Sequence, residues 1–187
     1  AAADELISAQ CARYHRHLNP RVRRALLART LPDGRPASGN PLWLTLAVDQ
    51  LNLLDAADFA RAERAQALPP AERLTQLLLE LLDQLPAEVA PAYQSLFERA
   101  EAIHGVARCR AFAAPLALSR NGLREADYAG LWPQLAAEAW QPLAFAGLRR
   151  SFRAHVVARG AHGQWDGTHA QLREAALARY LPQEEQR

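Results

Sequence analysis

Residues 41–54 carry Leu42, Trp43, Leu44, Leu46, Val48, Leu51 and Leu54, which point to nearly every side of a helix instead of along one stripe. A helix that is apolar all round must be covered on several sides, so the chain has to build further elements around this one. The start of the helix is written in the residues before it. Ser38-Gly39-Asn40-Pro41 is polar and turn-rich, and Asn40 suits the N-cap while Pro41, which has no amide to lose and a φ already set for the helix, suits the first helical position. Gly39 lets the loop backbone come close to whatever lies in front of it. A rigid Pro ring and a helix N-terminus at a surface make a wall and a positive dipole end for an anion, although a plain helix start has the same sequence.

Apolar spacing predicts helices on both sides of this element. Ile7, Cys11, Tyr14 and Leu18 recur at steps of three and four, which predicts a first helix over 4–18, and Asn19-Pro20 starts a short second one carrying Val22, Leu26 and Leu27. Residues 30–38 contain Pro-Asp-Gly and a second Pro and read as irregular. Asp55 caps a polar, Ala-rich helix to about residue 67. Over 71–85 the residues Leu74, Leu78, Leu81 and Leu85 form one seam of an amphipathic helix, with Leu77 and Leu82 beside it. Pro86 ends it and marks the boundary between a helical subdomain, 1–85, and a second domain, 86–187.

In the second half, helices are predicted over 89–104, with Tyr93, Leu96, Phe97 and Ile103 inward, and over 106–118, with Pro115 kinking it or marking its last turn. After the turn Ser119-Arg120-Asn121-Gly122 come a short helix over 123–132 and a longer one from about 135 to 150. Phe152, Val156 and Val157 then lead through Arg159-Gly160-Ala161-His162-Gly163 to Gln164-Trp165-Asp166, the pattern of two short strands about a Gly-rich turn. A last helix covers 169–180 and Pro182 closes the ordered part. The expected fold is mainly α: a small helical bundle followed by three helices, one β-hairpin wing and a helix, the order of a winged-helix domain.

Composition excludes several classes. With 187 residues the chain can bury roughly 70% of its unfolded surface, enough for a core. Half the residues are hydrophobic and 22% charged, and no apolar run approaches the ~20 residues of a membrane span. No signal peptide is evident at the start, so a cytoplasmic location is expected, and no membrane partner. The chain contains no Lys, so it cannot form a GxxxxGK[ST] phosphate loop, and no active site complete in itself is visible: no enzyme is expected from this sequence alone. The absence of Met implies a piece of a longer polypeptide. Cys11 and Cys109 sit in helical patterns and read as buried free thiols.

Two motifs stand together: Gly39-Asn40-Pro41-Leu42 opening a buried helix, and Thr168-His169-Ala170-Gln171-Leu172-Arg173-Glu174-Ala175 opening the helix after the hairpin. With the turn and helix start at 119–128, they resemble the lid region of signal-transduction ATPases with numerous domains, the NACHT and NB-ARC group, over about residues 38–181. In that family a P-loop domain is followed by a small helical subdomain whose key helix begins with G-x-P, and then by a winged helix. The resemblance implies that Pro41 packs on the adenine or ribose of bound ADP or ATP, with Gly39 and Asn40 shaping the approach. It implies that His169 touches the β-phosphate of ADP. It further implies a P-loop NTPase domain of the same parent polypeptide as partner, and a homo-oligomer on activation. The sequence departs from the family at Arg124, where a capping Ser or Thr is usual, and at Gly167-Thr168, where a bulkier apolar residue is common before the His.

Other readings stay open beside this one. A His capping its own helix or packed under the wing explains His169 without a ligand. A DNA-binding winged helix would use Arg149, Arg150 and Arg153 on phosphates, with Arg159 on the wing, but its recognition helix (Leu135, Ala136, Trp140, Leu143, Phe145, Leu148) is largely apolar and the net charge is only +2. A helical protein-binding scaffold is a third possibility. Arg21, Arg23 and Arg24 read as a solvated face, with nucleic acid or phosphate as the alternative. Cys11, His15 and His17 bring metal-ligating groups near one another without completing a zinc site. His155 and His162 are expected to be solvated beside the wing turn.

Overall fold

The computed structural model describes residues 2–64 and 67–181, so the expected stop at Pro182 lies outside the described residues. Among the described residues the chain is mainly helical, with ten α-helices and one two-stranded antiparallel sheet. It divides into two compact units that meet between Ala92 and Tyr93, in the first turn of α6 (Val89–His104).

The first unit holds α1 (Ala2–Ala12), α2 (Pro20–Ala28), α3 (Pro41–Asn52), α4 (Ala56–Arg64) and α5 (Pro70–Gln84). α3 packs against α1 and α5, and Trp43, Leu44, Leu46, Ala47 and Val48 are buried on it, as an all-round apolar helix requires. The Trp43 indole N–H donates to the Pro86 carbonyl at 2.8 Å, so the largest side chain of this core is also polar-satisfied. Asp55 caps α4 as expected: its carboxylate accepts the Asp58 N–H at 2.9 Å while Asp58 accepts the Asp55 N–H at 3.2 Å.

Two expectations are corrected here. α1 stops at Ala12, because Tyr14 and Arg16 turn back onto the Cys11 carbonyl at 3.0 and 3.1 Å and His15 takes φ 51°. Tyr14 and Leu18 are half-buried from the connecting segment, so the apolar rhythm outlasts the helix. On α5 the buried face carries Thr75, Leu77, Leu82 and Leu85, whereas Leu74 is exposed and Leu78 and Leu81 half-buried. Contact with α2, α3 and α4 centres the buried face on Leu77 and Leu82, expected beside the seam, with Leu85 of the seam itself.

The second unit takes the rest of α6, then α7 (Val106–Leu118), α8 (Glu125–Ala136), α9 (Pro142–Ser151), β1 (Val156–Arg159), β2 (Gln164–Gly167) and α10 (Ala170–Tyr180). α7 packs against α8, α9, α10 and β2, and its Phe112 lies against Tyr128, Phe145 and Phe152 with ring centroids 5.5–5.7 Å apart. Pro115 falls in the last turn of α7, and the helix ends three residues beyond it, at Leu118. The hairpin pairs Val156 with Gly167 and Arg159 with Gln164, and Gly160 (φ 68°) and Gly163 (φ 61°) make its turn. α6 and α10 are tied by Arg179, which grips Glu101 through two bonds of 2.8 and 2.6 Å. Cys11 and Cys109 are buried free thiols, and burial pushes Cys109 up to about 12.

The helix expected from 135 to 150 is two. Leu135 and Ala136 finish α8, Ala137 turns left-handed at φ 55°, and Pro142 starts α9. The break is held by Glu138, which accepts two bonds from Arg108 at 2.7 and 2.8 Å and one from the Trp132 indole at 3.1 Å. Arg124, which stands where the family usually has a capping Ser or Thr, has its N–H taken by Asp127 at 2.8 Å, with the guanidinium on the same carboxylate. No helix among the described residues is long and apolar enough to cross a membrane.

Candidate functional site

Of the predicted site residues, Gly39, Asn40 and Pro41 belong to the first unit and His169 to the second. In the first, Pro36 leads into a short 3₁₀ turn, Ala37–Gly39, that hands the chain to α3. The turn is tied to α2, since the Ala37 N–H donates to the Arg29 carbonyl at 2.8 Å and the Ser38 hydroxyl to the Leu27 carbonyl at 3.3 Å. The Asn40 side chain then accepts the Leu42 and Trp43 N–H groups at 3.0 and 3.4 Å. Gly39, Asn40 and Pro41 are all exposed, and a Cβ at Gly39 would meet nothing within 4 Å, so the surface before Pro41 is open.

Pro41 has no N–H and the next two amides are committed to Asn40, so little of the first turn remains to hold an anion. What the element offers is an exposed, rigid pyrrolidine face.

The second surface is the start of α10. His169 is its N-cap residue, exposed, at φ −136° and ψ 144°, and its side chain makes no cap bond to its own helix. The imidazole therefore does not spend itself on local structure. The chain just before it is fastened: the Thr168 N–H and hydroxyl both donate to the His155 carbonyl, at 2.9 and 3.1 Å. One turn later Arg173 donates to the Ser119 carbonyl and, at 2.5 Å, to Asp166, whose same oxygen accepts the Gly167 N–H at 2.8 Å.

The turn 119–122 completes this framework. Leu123 and Trp165 exchange backbone hydrogen bonds of 2.9 and 2.8 Å, and Gly122 holds φ 77° with its Cα so close that a Cβ would stand 2.5 Å from the Trp165 carbonyl oxygen. The Arg149 guanidinium lies 4.5 Å from the Trp165 ring and 5.2 Å from the Phe145 ring, so it packs between aromatics instead of reaching for solvent phosphate.

His155 is not solvated beside the turn, as its polar type suggests, but fully buried. Its ring meets Tyr93 edge-on with 5.4 Å between centroids and 3.4 Å from Nδ1 to the hydroxyl. Burial, reinforced by the charge of His169, pushes its imidazole down to about 4, so it is neutral at physiological pH. His162 is exposed in the hairpin turn.

Sequence reasoning singled out His169 and Pro41 as candidates and gave no role to His155, Arg173 and Asp166, which with Thr168 fasten the chain on either side of His169. The signal available was Asn121-Gly122, which marks a turn; nothing local says that the turn is pinned to β2. An open groove of about 730 Å³ in the first unit, walled by Leu31, Pro32, Leu79, Leu82 and Pro86, contains none of the predicted residues. Of Cys11, His15 and His17, Cys11 is buried and the two histidines are exposed, and among the described residues no three His, Cys, Asp or Glu side chains converge as a metal site would need. No family model, curated protein or solved structure matches the chain.

Proposed function

We propose that this chain is the regulatory lid of a nucleotide-switched signalling ATPase of the NACHT and NB-ARC kind, a helical subdomain followed by a winged helix. It completes an ADP pocket whose phosphate loop belongs to a P-loop domain elsewhere in the parent polypeptide. The observation that carries the reading is the state of His169: an exposed imidazole at the mouth of a helix that it does not cap, directly after a two-stranded hairpin. An imidazole so placed can donate to a diphosphate together with the first-turn amides. The order of α8, α9, hairpin and α10, with Leu123 pairing to Trp165 beside the hairpin, supports a winged helix. The exposed face of Pro41, backed by the buried α3, is suited to the adenine or ribose.

On this reading ADP favours the closed state through contacts that ATP does not make in the same way, and exchange releases the winged helix for homo-oligomerisation. A charge-assisted hydrogen bond to phosphate contributes roughly 1.5–3 kcal/mol, so His169→Ala in the intact protein is expected to speed ADP release at least about tenfold and to raise basal activity. ADP release at the wild-type rate in that variant would remove the assignment. The DNA-binding alternative is less well served: Arg149 is committed to aromatic stacking, and Phe145 and Leu148 of α9 are buried.

A further inference from the structure

We propose that Thr168 is a positioning residue for His169, its hydroxyl fixing the direction in which the imidazole leaves the chain; this rests on the nucleotide reading above. His169 is exposed and has no side-chain cap bond to α10, so its ring is aimed by the backbone that carries it. That backbone is anchored at one acceptor, the His155 carbonyl, which takes both the Thr168 N–H at 2.9 Å and the Thr168 hydroxyl at 3.1 Å. The N–H alone already satisfies this carbonyl. What the hydroxyl adds is a second constraint on the peptide leading into His169, and the branched Thr side chain is itself stiff at χ1.

The acceptor is immobile. His155 is fully buried, its N–H donates to the Phe152 carbonyl at 2.8 Å, and its ring packs edge-on against Tyr93. On the far side, Arg173 ties the next turn of α10 to Asp166 and to the Ser119 carbonyl. His169 thus sits between two fixed points, and Thr168 supplies the nearer one.

The test measures ADP release from the intact ADP-loaded protein. Thr168→Val keeps the branched shape and removes the hydroxyl, and is expected to speed release about fivefold, the worth of one ordinary hydrogen bond. Thr168→Ser, which restores the hydroxyl, should return the rate close to wild type. In the His169→Ala background Thr168→Val should add nothing, because Thr168 acts through the missing ring. Should Thr168→Val misfold, Thr168→Ala repeats the test with the same expected results.

Wild-type release from the Thr168 variant while His169→Ala releases fast would overturn the positioning role, and so would the same added factor in the His169→Ala background. If His169→Ala itself leaves release unchanged, the nucleotide reading falls, and the role of Thr168 with it.

Discussion

The two candidate surfaces are both helix starts, yet they are built in opposite ways. At α3 the cap itself is local: Asn40 accepts the amides of the residues two and three ahead, and Pro41 supplies the first helical position, while the turn before them is tied to α2. At α10 the local cap is idle and the start is held from a distance, by His155 through Thr168 and by Ser119 and Asp166 through Arg173. A helix start that satisfies itself has little left for an anion and presents an apolar face. One whose support comes from elsewhere leaves its imidazole out of the cap.

The contrast predicts that the α10 surface fails when distant residues change and the α3 surface only when adjacent ones do. The largest effect is expected at Gly122. Valine there would require a left-handed backbone and a Cβ 2.5 Å from the Trp165 carbonyl oxygen, costing the second unit about 3 kcal/mol or more. Amide exchange of α10 should rise sharply in Gly122→Val while α3 keeps its protection; equal loss in both would break the comparison.

Acid should act in the same selective way. His155 has a folded value near 4, below its ordinary 6.5, so the unfolded chain binds the proton first. Stability of the second unit is complete above about pH 6.5 and falls as pH drops towards 4, by up to about 3 kcal/mol. The first unit has only exposed histidines, His15 and His17, among its described residues and should not share this loss. Amide exchange measured across that range, in wild type and in His155→Phe, checks the sign. An unchanged acid response in the variant would assign it to other groups.

Smaller effects separate the two caps themselves. Asn40→Ala removes two hydrogen bonds at the head of α3 and should cost the first unit about 1 kcal/mol. His169→Ala removes no cap bond and should change the melting of the second unit by less than about 0.5 kcal/mol, so that its effect on ADP release is read free of unfolding. A destabilisation at His169 as large as that at Asn40 would mean that the imidazole is structural.

The same division separates what could be read in the chain from what could not. The starts of α2 and α3, the span of α6 and α7, the hairpin and the start of α10 were legible because caps, prolines, glycines and apolar period act within a few residues. His169 was legible as a candidate because it stands at one of these starts.

The end of α1, the split between α8 and α9 and the buried state of His155 were not legible. Each depends on a partner remote in sequence or on a backbone choice without a residue signature: Ala137 turns left-handed with only alanine chemistry to announce it, beside a carboxylate held by Arg108. The sequence by itself determined a mainly helical chain, a self-capped α3 beneath an exposed Pro41, and a helix opened by His169 after a hairpin. Only the tertiary structure decided that His155 is buried and neutral, that the buried face of α5 centres on Leu77 and Leu82, and that Thr168 and Arg173 clamp the start of α10. These depend on desolvation and on bonds between segments far apart in the chain, and the free energy of such contacts exists only once the fold has brought their partners together.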